Sequence, residues 1–156
     1  MDQKEIDLLN AAYQTFVGRT HIFDVLSEKK WKDTGIENWV QTEYIVAMID
    51  RGYEVTTTGK VDRDCDIIVQ QEKSGLNIGI ELGATTSTYY KSLTNRIERH
   101  PNADLYLFLS KVDANMLEEL NEYFEQHGYV EERRMLNDDW MVMLVKKKTA
   151  SLKQHV

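Results

Sequence analysis

Apolar residues recur along this chain with two periods, and the switches between them set out the elements. Residues 3–17 carry Ile6, Leu9, Tyr13, Phe16 and Val17 at helical spacing, which predicts an amphipathic helix. Residues 21–34 hold Ile22, Phe23, Val25 and Leu26, followed by Trp31 among lysines. They read as a short helix and a loop. A stronger helix is predicted over 36–51, between Gly35 and Gly52, the second glycine suiting a helix stop.

Alternation then takes over. Tyr53–Thr58 reads as a strand, Gly59–Arg63 as a polar turn and Asp66–Gln70 as a β-branched strand. Lys73-Ser74-Gly75 suits a hairpin turn, and Asn77–Leu82 is a third strand with Ile78, Ile80 and Leu82 apolar. A helix is predicted over 87–99, with Ser87 as its N-cap. Ala103–Leu109 is almost uniformly apolar, the mark of a buried parallel strand. Asp113 caps a helix running to about Gln126 and stopping at Gly128, and Tyr129–Leu136 and Trp140–Val145 form a closing hairpin. The expected fold is α/β, one domain over 1–156. Its core of about 35–110 has the order α-β-β-β-α-β, a mixed sheet flanked by helices. A C-terminal helix and β-hairpin follow over 113–148.

Composition narrows the setting. The chain has 156 residues, 42% hydrophobic and 29% charged, enough to bury a core without staples. One cysteine, Cys65, forms no internal disulfide, so a reducing, cytoplasmic setting is expected. No basic leader precedes an apolar run, and no stretch approaches the ~18 apolar residues of a membrane span. The net charge of −7 weighs against binding nucleic acid through a broad basic footprint. It leaves room for a metal site, where a bound cation reverses the local field. Lys146, Lys147, Lys148 and Lys153 concentrate positive charge in the tail.

Four acidic positions carry the candidate chemistry: Glu37 and Glu43 on the helix before the three strands, Asp66 opening the second strand, and Glu81 ending the third. Neighbouring strands lie about 4.8 Å apart. Asp66 and Glu81 can therefore share one hard cation such as Mg²⁺ if the register puts them on one face. Read alone, Asp66 caps a turn and Glu81 points to solvent. Glu81 resists that reading because Ile78, Ile80 and Leu82 surround it, and a buried carboxylate needs a partner. Glu37 and Glu43 lie about 600° apart along a helix, so both cannot face one site. His21, His100, His127 and His155 show no ligand spacing.

The run from Gly35 through Glu37 and Gln41 to Glu43, then Asp66-Ile67-Ile68-Val69, Ile80-Glu81, and on through Ser87, Lys91 and Asn95 to Asp104–Phe108 resembles the PD-(D/E)XK, or restriction-endonuclease-like, nuclease superfamily. It is most similar to small archaeal, plasmid or viral members and covers about residues 35–110. The resemblance implies a nuclease cutting DNA with Mg²⁺ or Mn²⁺. Asp66 and Glu81 match its strand carboxylates, and Glu43 or Glu37 its helix glutamate. The family's lysine stands two residues after the second carboxylate, and here that position is Gly83. Lys91, on the following helix, is the candidate replacement, and a solvated lysine is its plain alternative. Arg96 and Arg99 could touch a DNA backbone or pair with Glu98. Two competing expectations stand beside it: a non-catalytic module on the same fold, favoured by Gly83 and the −7 charge and able to dimerise through the terminal hairpin's edge strand, and a nuclease acting on RNA, which nothing in the sequence separates from DNA.

Overall fold

The computed structural model describes residues 1–28, 35–57, 65–71 and 76–148. Among these, helices α1 (Gln3–Phe16), α2 (Thr20–Glu28) and α3 (Ile36–Asp50) precede strands β1 (Glu54–Thr57), β2 (Ile67–Gln71) and β3 (Leu76–Thr85). Helix α4 (Lys91–Arg99), strand β4 (Leu105–Lys111), helix α5 (Ala114–His127) and strands β5 (Tyr129–Met135) and β6 (Trp140–Lys147) complete the order. The polar turn at 59–63, the hairpin turn at 73–75, Trp31, Lys153 and His155 lie outside the described residues.

The strands form one mixed sheet in the order β1-β2-β3-β4-β6-β5. β1, β2 and β3 pair antiparallel, β4 runs parallel to β3, and β6 pairs antiparallel with both β4 and β5. The apolar run of β4 is parallel and buried as its composition predicts. The terminal hairpin does not stand apart: β6 inserts beside β4, leaving β5 at the edge.

The period-two pattern sorts side chains between two cores. Ile67, Val69, Ile80, Leu82, Leu105, Leu107, Trp140 and Val142 face α1, α2 and α3, meeting Leu9, Phe16, Phe23, Val40 and Tyr44. Tyr106, Phe108, Met141 and Met143 face α4 and α5, meeting Leu93, Ile97, Leu120 and Phe124. Trp39 and Trp140 pack edge-on or tilted against Phe16 and Phe23, as aromatic rings prefer. The Tyr44 hydroxyl donates to the Leu8 carbonyl at 3.1 Å, so the deepest polar atom of α3 is satisfied.

One expected element differs. The helix predicted over 87–99 begins at Lys91, with Tyr90 at its N-cap and no side-chain cap. Ser87 Oγ instead accepts from the Tyr89 amide at 3.1 Å. β3 extends to Thr85 because Thr85 pairs with Ser110 of β4. That draws the following residues out as a connector before the helix can start.

Candidate functional site

Alternation along β2 and β3 decides where the two strand carboxylates point. Ile67 and Val69 face the α1–α3 core, as do Ile80, Leu82 and Ala84. Asp66 and Glu81 are each one residue out of phase with those sets, so both belong to the opposite face. Ile67 pairs with Ile80, which brings Asp66 and Glu81 together as the next cross-strand neighbours. The Asp66 amide donates to the Ile80 carbonyl at 3.0 Å. Asp66 Oδ2 accepts from the Leu82 amide at 2.8 Å. The two carboxyl groups share a hydrogen bond.

Glu81 is 4% exposed. Burial, then the Asp66 charge, then the hydrogen bond to Asp66 push its carboxyl up to about 8. Burial also raises Asp66, against the Leu82 amide and the Glu81 hydrogen bond, which hold it down. Two acids at this distance cannot both ionise cheaply. The pair therefore holds on to a proton to higher pH than either acid would alone.

Four further groups close around the pair. His100, which ends α4, sets Nε2 3.5 Å from Glu81 Oε2. Its carbonyl accepts from the Tyr106 hydroxyl, which fixes the helix end to β4. Arg96, in the second turn of α4, donates from Nη1 and Nη2 to the two carboxylate oxygens of Glu37 at 2.8 and 3.0 Å. Its charge reaches both strand acids. Gly83 lies beneath it. A Cβ at Gly83 would stand 2.8 Å from Arg96 Cδ and 3.0 Å from Phe108 Cδ1.

The expected site residues therefore separate. Asp66, Glu81 and Glu37 come together, with Glu37 linked through Arg96. Glu43 turns elsewhere and pairs with Arg19 at 3.3 Å; the six-residue interval puts it about 120° round α3 from Glu37. Lys91 lines a cleft of about 340 Å³ between α4 and α5, with Thr94, Glu98, Glu119 and Tyr123. It sits about 140° round α4 from Arg96. Asp104 accepts from the Gly79 amide at 2.8 Å and pins the entry to β4 against β3. Lys146, in the basic tail, pairs with Glu5 of α1. Cys65 is buried and gives its thiol to the Ile67 carbonyl, the behaviour of a small core residue.

Sequence reasoning left Arg96 open between a DNA-backbone contact and a surface pair with Glu98, and placed His100 among scattered histidines. One feature of the sequence bears on Arg96: glycine at 83, as at 79, allows close approach by another group, and the Arg96 stem takes up that space. Among the described residues, no cluster of three or more His, Cys, Asp or Glu is arranged to hold a metal ion. No helix among them is long and apolar enough to cross a membrane. Set against known protein families, characterised proteins and solved structures, the chain matches none.

Proposed function

We propose that this protein is a metal-dependent nuclease that hydrolyses phosphodiester bonds of DNA, with Asp66 and Glu81 as the metal-binding carboxylates. The observation that carries this reading is the pairing of two acids, directly across β2 and β3, on the face away from the larger core. Burying two carboxyls so that they compete for a proton destabilises the empty site. A divalent cation removes that conflict. Mg²⁺ asks for one or two carboxylates and completes its shell with waters and phosphate oxygens, a demand this pair fits without a third acid. The order α3-β1-β2-β3-α4-β4, with an antiparallel meander followed by a parallel strand, accords with a restriction-endonuclease-like core.

Bound at this pair, Mg²⁺ or Mn²⁺ would supply water activation and charge neutralisation. The chain does the rest. The Leu82 amide holds Asp66 in place, His100 flanks Oε2 of Glu81, and Glu37 orients Arg96.

The test is cleavage of supercoiled plasmid DNA in Mn²⁺. Asp66→Ala and Glu81→Ala should each lower cutting about 100-fold or more. Undiminished cutting by both purified variants would remove the proposal. A second reading, a non-catalytic interaction module, draws on Gly83 at the lysine position and on the net charge of −7. It expects no thermal shift of the wild-type chain in Mn²⁺ and no nicking.

A further inference from the structure

We propose that Arg96 is the phosphate-binding cation of this site, delivered from α4 across Gly83, and that Glu37 is its positioning residue. The inference rests on the nuclease reading above and assigns a role to residues that reading leaves open.

Three observations carry it. First, Gly83 makes room for Arg96. It lies inside β3, paired with Phe108 of β4, and its φ is outside the left-handed region, so backbone freedom does not explain the glycine. Space does: Arg96 Cδ and Nε would stand 2.8 and 3.1 Å from a Cβ there. The arginine stem occupies the space where a side chain would go, with the Phe108 ring 3.0 Å from the same point.

Second, the guanidinium is held but not sealed. Arg96 is 19% exposed along its side chain and Glu37 40%. Glu37 takes two of the five guanidinium donors in a fork. The donors left over can meet an incoming oxyanion, and the planar fork suits phosphate better than an ammonium does. The exposed Glu37 carboxylate can give way as the phosphate arrives.

Third, the cation stands beside the acid pair rather than on a remote surface. Its charge acts on Glu81, Asp66 and Glu37 together. A phosphate meeting Arg96 would lie against the Asp66–Glu81 pair. Glu37 and Arg96 also join the helix layers on opposite sides of the sheet, so a purely architectural ion pair is the rival explanation, and the test must separate the two.

Plasmid cutting in Mn²⁺ and anisotropy of a labelled DNA duplex in Ca²⁺ are measured for wild type, Asp66→Ala, Arg96→Gln, Arg96→Lys and Gly83→Ala. Arg96→Gln should cut about 100-fold more slowly. It should also bind the duplex more weakly, with the slope of log affinity against log salt smaller by about one. Arg96→Lys should regain most of the binding, with its salt slope, and part of the cutting, whereas an architectural pair with Glu37 alone leaves the slope unchanged in every Arg96 variant. Gly83→Ala, whose Cβ would crowd Arg96 Cδ and Phe108 Cδ1, should weaken cutting in the wild-type background. If Asp66→Ala is inactive while Arg96→Gln cuts and binds as wild type, Arg96 has no phosphate role and the nuclease reading survives. If wild type binds with an Arg96-dependent slope but never cuts, the hydrolytic reading fails and the phosphate contact stands. If wild type neither cuts nor binds, both fall.

Discussion

Glu81 shows how far a single residue's surroundings can be read from its neighbours. Its apolar flanks demanded an inward carboxyl with a partner, and the partner is Asp66, found by counting the register from the hairpin. The partnership has a consequence for stability. Glu81 ordinarily titrates near 4.5 and is raised to about 8 in the fold. The folded chain thus binds this proton more tightly than the unfolded chain does. The stabilisation is fully present below about 4.5 and is lost as pH rises from 4.5 through 8. Asp66 is shifted in the same direction. Glu81→Gln keeps a neutral donor toward Asp66 at every pH. In metal-free buffer it should match wild type in Tm near pH 5 and exceed it near pH 9 by about 4 °C or more. Equal melting curves at pH 9 would show that the two acids do not compete for a proton. Arg96 and His100 were less legible than Glu81. Their contacts with Glu37 and Glu81 cross wide stretches of chain, 59 residues in the case of Arg96. No periodicity within one helix reports such distances.

At the scale of elements, local chemistry marked most ends and tertiary pairing moved one. Gly128 takes φ 73° and ψ 40° and sends its amide to the Phe124 carbonyl, closing α5 where the sequence placed a stop. Asp113 caps the other end through the Met116 amide at 3.1 Å. A left-handed residue with a Cβ costs roughly 1 kcal/mol. Gly128→Ala should lower Tm by about 2–4 °C and leave plasmid cutting per folded molecule unchanged, because α5 packs on β4 and β6 without reaching the acids. An unchanged Tm would mean that the turn relaxes to another conformation. The start of α4 was misplaced from sequence because Ser87 looks like a cap when read alone. It loses that role once β3 runs on beside β4, an interaction between segments more than twenty residues apart. The insertion of β6 next to β4 was hidden for the same reason: a hairpin signal says which two strands pair and nothing about which outer strand joins the sheet.

For the whole molecule, the mixed sheet between two helix layers was visible in the switches of period, while the site emerged from where those layers meet. That meeting point is acidic within a chain of net charge −7, and this limits how the proposed nuclease would hold DNA. Lys146 and Arg19 are already paired with glutamates, at 2.9 and 3.3 Å. A protein that grips DNA with a wide basic surface releases many counterions and loses affinity steeply with salt. On the nuclease reading proposed above, attraction would come chiefly from a divalent cation at Asp66 and Glu81 and from Arg96. Duplex binding at about 0.1 M salt should therefore vanish in EDTA and appear on adding Ca²⁺ or Mn²⁺. Its salt dependence should be shallow, a slope of about −1 to −3 for one to three phosphate contacts. Titrating a labelled duplex across a salt series, with and without the ion, measures both quantities. Tight binding in EDTA with a steep slope would place the DNA on some other surface, and the acid pair would then have no part in holding it.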